Sequence, residues 1–414
     1  QSIENMMDLR ASYASLEKNF SGTQRVTEGD AFVDQTNQFG KFIRSKYFAV
    51  LFFVVLLFAN WFAYKEICAV LHSTGHRVPG RWLLLLMLSV LALYEVVRNT
   101  NSTSRIKKWI LYIGGLYISF FLYWVLSLLF FQLLALVMEW VVPYGMWDTI
   151  GFCLASVCAF LVCFYGIVHA HVVVPVHYSV AVGEGEHTYR IVLLSDLHLG
   201  IYNGTKHLKK VIDAVNDAQP DMVVIAGDLF DGSQADAYFD QEGAAAQFRR
   251  IQARDGVVFA TGNHDPATTD PNLRTYLRAS NISMLNDYGL IIGRLAIFGR
   301  NDGISVREPD RRRPLQMVIS GYQHYRPMVV VDHNPQGADE AAACGADLVL
   351  CGHTHRGQMF PINLFTKWAY GTERFWGHHQ LGKTHVIVSA GCGVFQLPVR
   401  VGTDNEVVSI DLIY

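Results

Sequence analysis

Five short blocks in the C-terminal half carry side chains that together could hold a pair of cations. They read Asp196-Leu197-His198, Gly227-Asp228, Gly262-Asn263-His264-Asp265, Asp332-His333-Asn334-Pro335 and Gly352-His353-Thr354-His355. Carboxylate oxygen, amide oxygen and imidazole nitrogen are donors that suit Mn²⁺, Fe²⁺ and Zn²⁺. A phosphate ester resists hydrolysis because an anion must be attacked while charge builds on the leaving group. Two cations roughly 3.5–4 Å apart meet both difficulties by activating a water and clamping phosphoryl oxygens. A single Asp-x-His or Gly-Asp carries no such meaning, and His333 alone reads as a surface or capping histidine. Five blocks in one order point instead to a two-metal phosphohydrolase.

The elements that must position these blocks are legible beside them. Several follow directly on β-branched runs: IVLLS before Asp196, MVVIA before Gly227, VVFAT before Gly262, MVVV before Asp332 and LVLC before Gly352. In an α/β fold the strand C-termini share one sheet edge, where ligands from distant blocks meet. From about residue 177 short strands alternate with helical stretches. Strands are expected at 190–195, 221–226, 257–261, 295–299, 316–319, 328–331, 348–351, 385–389 and 407–412. Helices are expected around 206–216, 244–250 and 271–279. Leading βαβ units followed by closely spaced strands imply stacked mixed sheets flanked by helices.

The order of these blocks resembles the calcineurin-like metallophosphoesterase family. SDLHLG at 195–200, GHTHRGQ at 352–358 and GCGVFQLPVRVG at 391–402 resemble a membrane-associated bacterial subgroup. That subgroup includes phosphodiesterases and a UDP-2,3-diacylglucosamine pyrophosphatase. The resemblance spans roughly residues 188–413 and implies a four-layer sandwich, with two mixed β-sheets flanked by helices. It implies two divalent ions, Mn²⁺ first and Fe²⁺ or Zn²⁺ as alternatives. Asp196, His198 and His355 would hold the first ion, and Asn263, His333 and His353 the second, with Asp228 bridging. His264 would protonate the leaving oxygen or orient the phosphate, and Asn263 would also touch substrate. The chain departs from the family at Asp265, where Glu is usual, and at Arg356, where Gly is frequent. The shorter Asp265 still serves as an acceptor behind the ligands. The Arg356 guanidinium either binds a phosphate or carboxylate bidentately or faces solvent from a loop.

The first half of the 414-residue chain has a different character. Half of all residues are hydrophobic, and four apolar segments lie at 47–64, 82–97, 109–142 and 149–174. Each is near or above the ~20 residues that span a bilayer. The third would make a helix of roughly 51 Å at 1.5 Å per residue, which reads as one tilted helix extending past the membrane. Trp61, Trp82, Trp109, Trp140 and Trp147 stand near segment ends, where amphipathic rings prefer the interface. The expected organisation is a polar segment at 1–40, a four-helix transmembrane domain at 41–176 and a catalytic domain at 177–414. Ile3, Met6, Tyr13, Leu16 and Phe20 share one helical face within the first of these.

Lys41, Arg44 and Lys46 precede the first span, and Arg98, Arg105, Lys107 and Lys108 join the second to the third. The opposite side holds Lys65, Arg77 and Arg81, and the loop 139–148 has no Lys or Arg. Basic loops stay in the cytoplasm, so the catalytic half is expected there, in a multi-pass protein of the inner membrane. The net charge of −2 excludes a general nucleic-acid surface. Seven cysteines with no CxxC spacing in the soluble half indicate no disulfide framework. Phe365, Trp368, Tyr370, Phe375 and Trp376, interleaved with Lys367 and Arg374, form a loop beside the site that either meets headgroups or an acyl chain or packs as a hydrophobic core beneath a long loop. Arg307, Arg311, Arg312 and Arg313 face anionic lipid or solvent. His324, His378 and His379 match no motif position and are expected not to be ligands.

Anchoring by four helices suits a substrate that itself resides in the bilayer. The expected partners are therefore membrane lipids and a lipid-linked phosphate or pyrophosphate, UDP-diacylglucosamine-like. A membrane-anchored phosphodiesterase on a soluble nucleotide and a non-catalytic metal-dependent sensor or scaffold are the alternatives.

Overall fold

A computed structural model describes residues 46–73, 75, 80–100, 104–138, 140, 146–232, 239–302 and 312–414. The expected helical face within residues 1–40 lies outside the described residues, as do Arg307 and Arg311.

Long apolar runs without interior breakers give four helices: α1 (Lys46–Ser73), α2 (Gly80–Arg98), α3 (Arg105–Met138) and α4 (Met146–His169). Among the described residues three stretches are long and apolar enough to cross a membrane, Phe53–Ser73, Arg105–Val137 and Thr149–His169. The expectation was four. The described part of α2 carries Arg81, Glu95 and Arg98, which takes it out of that class. It nevertheless exposes Trp82, Leu85, Leu86, Leu93 and Val96. The third segment is one unbroken helix of 34 residues, as read from its length.

Leu57–Tyr414 form one compact unit. Within it, small residues let the helices approach: Ala63 and Ala155 are fully buried with Met87, Phe121 and Leu128. Polar side chains tie the helices together where lipid offers no partner. Trp124 Nε1 donates to Ser156 Oγ at 3.0 Å, and Gln132 Nε2 donates to Glu66 Oε2 at 2.6 Å.

The C-terminal half continues with β1 (Val173–Ala181), β2 (Thr188–Leu194), α5 (Thr205–Asp217), β3 (Met222–Ala226), α6 (Gln241–Phe248) and β4 (Val257–Ala260). Then come α7 (Pro271–Ala279), β5 (Ile282–Met284), β6 (Tyr288–Ile292), β7 (Leu295–Gly299), α8 (Leu315–Val318), β8 (Met328–Val331), α9 (Ala338–Ala343) and β9 (Leu348–Cys351). The chain closes with α10 (Ile362–Tyr370), α11 (Thr372–Phe375), β10 (Gly377–Leu381), β11 (Thr384–Val388) and β12 (Asn405–Ile413).

The strands make two mixed six-stranded sheets, ordered β1-β12-β2-β3-β4-β5 and β10-β11-β9-β8-β7-β6. Strands β2 to β5 run parallel in the first, and β7, β8, β9 and β11 run parallel in the second. Parallel strands covered on both faces must be apolar on both, which is why MVVIA and MVVV read as unbroken apolar runs. One core lies between the sheets, from Ile191, Val224, Ile297, Val329, Leu350 and Ile410. A second packs α5, α6 and α7 on the first sheet, and a third packs α8 and α9 on the other. The result is the four-layer helix–sheet–sheet–helix sandwich expected.

Several local expectations are corrected. Residues 316–319 were expected as a strand, but Leu315 and Val318, three apart and both buried, face inward from the short helix α8. The aromatic stretch after residue 361 is not a loop; it is α10 and α11. Strand β1 begins at Val173, before the expected boundary at 176, because it pairs with β12 from Val173↔Asn405 to Ala181↔Ile413. Arg312 does not face lipid. It is held by Asp332 at 2.5 Å and Glu340 at 3.2 Å.

The sandwich sits against one end of α3 and α4. Tyr202 donates to the Leu111 carbonyl at 2.9 Å, and Tyr123 donates to the Phe360 carbonyl at 2.9 Å. His169 meets Asp404 at 2.8 Å, and Asn405 Nδ2 donates to the Ala170 carbonyl at 2.7 Å. Ile410, fully buried on β12, packs in the core between the two sheets. Truncation in Ile410→Ala is expected to cost about 2–5 kcal/mol. Thermal melting of the full chain in detergent checks this as a lowered transition.

Candidate metal centre

The loops that follow β2, β3, β4, β8 and β9 meet at one edge of the paired sheets. Asp196, His198 and His355 bring one ligand atom each into a group no wider than 4.8 Å, and Asp228, His333 and His353 form a second such group. His198 Nε2 stands 3.1 Å from His355 Nε2, and His355 Nε2 stands 3.3 Å from Asp196 Oδ1. In the second group His333 Nε2 is 3.1 Å from Asp228 Oδ2 and 3.2 Å from His353 Nδ1. The same Asp228 Oδ2 lies 3.5 Å from His198 Nε2, so this carboxylate stands between the groups.

The backbone of these loops is bent in an unusual way. Asp196, His198, Asp228, His353 and His355 all have positive φ, between 41° and 71°. Left-handed backbone is costly for residues with a Cβ, at roughly 1–3 kcal/mol each, and persists where surrounding structure enforces it. Here it turns successive side chains toward one point. The glycines in the blocks make room for this crowding. A Cβ on Gly352 would stand 2.5 Å from Asp196 Oδ2, and one on Gly227, itself at φ +80°, would stand 2.5 Å from His333 Nδ1.

Hydrogen bonds between loops fix the ligands. Asp265 Oδ2 accepts from the N–H groups of Asp228 at 2.8 Å and Gly262 at 2.7 Å, and its Oδ1 accepts from Phe230 N–H at 3.1 Å. The Asp that replaces Glu therefore clamps two ligand loops from behind. His333 Nδ1–H donates to the Ala226 carbonyl at 2.8 Å, which leaves Nε2 directed at Asp228. The His353 N–H donates to Asp196 Oδ2 at 3.0 Å, and the His264 N–H donates to Asp228 Oδ1 at 2.8 Å.

The electrostatics suit cation binding. Burial lowers the His198 imidazole to about 3, and burial with His333 nearby lowers His353 to about 4. Burial and then Arg400 hold His355 well below its ordinary value. These imidazoles are neutral, with lone pairs to donate. Burial opposes the Asp228 charge, yet His333 and His198 hold its carboxyl well below the usual range. For His333 burial opposes protonation and the Asp228 carboxylate outweighs it, raising the imidazole. A divalent cation fits this donor set. Asn263 supplies the clearest test of fit, because its buried Oδ1 has no hydrogen-bond partner among the described residues, and such an atom is normally satisfied by a partner or an ion.

The remaining residues singled out in the sequence are placed as follows. The His264 ring lies 5.2 Å from the His198 ring and 4.6 Å from Phe395. The Arg356 guanidinium stacks 3.6 Å over Trp376 and stands 3.8 Å from Asp404, with 27% of its side chain exposed. His378 is paired with His385 at 2.9 Å, His379 bonds the Trp376 carbonyl at 2.8 Å, and His324 stacks on Tyr325.

Three contributors, Asp231, Phe395 and Arg400, had no role assigned from the sequence, and Tyr370 had been placed only beside the site. Asp231 lies 3.7 Å from His198 Nδ1, and burial with Asp228 pushes its carboxyl up to about 7. Phe395 walls the centre, with its ring 4.8 Å from His198 and 5.9 Å from His355. Fully buried Arg400 donates to the carbonyls of Ala390 at 2.8 Å and Gly393 at 2.7 Å, and approaches that of His355 at 3.4 Å. Tyr370 meets the His353 ring edge-on at 5.9 Å. Phe395 and Arg400 lie in the GCGVFQLPVRVG stretch, which was the available signal; Tyr370 lies in the aromatic stretch expected beside the site, and Asp231 had no signal.

Removing the amide in Asn263→Ala is expected to lower bound metal from two ions per chain to one with little change in melting temperature. Elemental analysis by inductively coupled plasma mass spectrometry checks it.

Residues 189–357 match the family model of the calcineurin-like phosphoesterases. A Danio rerio protein named transmembrane protein with metallophosphoesterase domain is 32% identical over 237 residues, covering 54% of this chain and 53% of that protein. Its Bos taurus namesake is 31% identical over 256 residues, 58% of this chain and 55% of that protein. An uncharacterized metallophosphoesterase of Campylobacter jejuni is 31% identical over 225 residues, 54% of this chain and 59% of that protein. The chain spans about half the length of the curated relatives it matches. The six residues of the two ligand groups all lie within the stretch that matches the calcineurin-like phosphoesterase model.

Proposed function

We propose that this protein hydrolyses a phosphoester or pyrophosphate bond of a lipid-linked substrate at the cytoplasmic face of the membrane its helices cross. The observation that carries the reading is the juxtaposition of the ligand groups with the apolar helices. The loop 391–402 contributes Phe395 to the wall of the centre, while in the same loop the Arg400 N–H donates to the Gly166 carbonyl of α4 at 3.0 Å. A substrate confined to the bilayer meets such a centre without leaving the membrane.

Asp196, His198 and His355 would hold one ion, His333, His353 and Asn263 the other, and Asp228 both. When bound, the two ions supply a Lewis-acid clamp and an activated water. The protein's own groups position and protonate. Asp265 and His333's bond to Ala226 keep Asp228 and His333 in register. His264 is held by its N–H on Asp228, with its imidazole beside His198, where it can donate a proton to the leaving oxygen. Arg356, immobilised on Trp376, presents a planar cation beside His355 for a phosphate oxygen.

The orientation is supported by where the charges fall. Tyr94 near the end of α2 reaches the Gln396 carbonyl at 3.4 Å, and Leu111 near the start of α3 accepts from Tyr202. The basic connection with Arg98, Arg105, Lys107 and Lys108 is therefore on the catalytic side, where the positive-inside rule expects cytoplasm.

The test is turnover by purified full-length protein with Mn²⁺. A lipid pyrophosphate such as UDP-diacylglucosamine is expected to outperform cyclic and linear nucleotides, and His264→Ala to lower kcat by about 10²–10⁴-fold. Preference for a soluble nucleotide would overturn the lipid assignment. Absence of any phosphodiester cleavage, unchanged by His264→Ala, would favour a sensor.

A further inference from the structure

The nine-residue helix α10 carries more exposed apolar surface than an ordinary water-facing helix. None of its residues is buried. Ile362, Leu364, Phe365 and Trp368, with Phe360 just before it, are between 40% and 69% exposed. Lys367 is its one charged residue. Apolar side chains with a basic residue among them suit the boundary between headgroups and acyl chains, where the lysine stem lies on apolar surface and its ammonium reaches phosphate.

Its position in the fold says what covers it. At its start, the Phe360 carbonyl accepts from Tyr123, which stands about halfway along α3. The neighbouring Met359 is buried with Tyr123, Ala159, Cys163 and Val399. At its other end, Tyr370 packs against the ligand His353. One helix thus runs from the apolar helices α3 and α4 to the metal centre. Apolar residues of α4 are exposed as well, among them Phe160, Phe164 and Val168.

We propose that α10 lies in the headgroup–acyl boundary of the bilayer that α3 and α4 cross, so that the metal centre opens at the lipid surface rather than into bulk water. This rests on the membrane-bound reading above and does not depend on which substrate is cleaved. A second protein seated on the same face is the competing occupant.

Trp368 is its own depth gauge. The full chain is placed in nanodiscs of phosphatidylcholine and phosphatidylglycerol, with or without bromine on the upper acyl chain. The emission of wild type minus Trp368→Phe isolates this residue. A loss of roughly half that emission in brominated discs is expected for a ring at the boundary. Unquenched emission overturns the inference, including the case where a protein covers the face. A second variant, Leu364→Glu, is expected to lower turnover of a membrane-embedded phosphodiester roughly tenfold while bis(p-nitrophenyl) phosphate turnover is unchanged. Equal turnover of both overturns the inference. Quenched Trp368 with no lipid phosphoester cleaved leaves α10 at the boundary and removes the substrate assignment instead.

Discussion

The catalytic half is organised around one carboxylate, that of Asp228. Its Oδ2 stands 3.1 Å from His333 Nε2 and 3.5 Å from His198 Nε2, and so lies between side chains carried by different sheets. The position is available only because β3 ends in Gly227-Asp228 with both residues at positive φ. Asp265 then fixes the turn by accepting the Asp228 N–H. The parallel strands of both sheets end at the same edge, and that common polarity lets five separate loops converge. Strain in those loops is sustained by the buried cores on either side of each sheet.

The clustering of Asp196, His198 and His355, and of Asp228, His333 and His353, was legible because the chemistry leaves few alternatives. Paired carboxylate, amide and imidazole groups immediately after apolar runs have one economical use, and the runs themselves announced buried parallel strands. The mixed sheets and the flanking helices followed from the same alternation. What escaped had no local signal. The short helix α8 was taken for a strand because its stretch is apolar and its burial spacing of three covers a single turn. The strand β1 was absorbed into the fourth apolar segment, since VVVPV looks like a helix end until its partner β12 is known. Asp231 meets the ligands only through tertiary contact. Arg312 read as a surface charge because its partners Asp332 and Glu340 are distant in sequence.

The membrane half contributes more than an anchor. The end of α2, the first half of α3 and the end of α4 all contact the catalytic half, through Tyr94, Leu111, Tyr123, Gly166 and His169. Asp404 carries this contact inward, pairing with His169 of α4 and approaching Arg356 beside the ligand His355. The long α3 needs no break because its first half lies along the catalytic domain. The length that puzzled the sequence reading is a structural seam.

The central claim is a pair of cations sharing the Asp228 carboxylate. Electron paramagnetic resonance of the full chain loaded with Mn²⁺ tests it most directly, because a bridging carboxylate couples the two ions magnetically. The account predicts an exchange-coupled signal that disappears in Asp228→Asn. A signal from isolated, uncoupled ions in the wild type would contradict it.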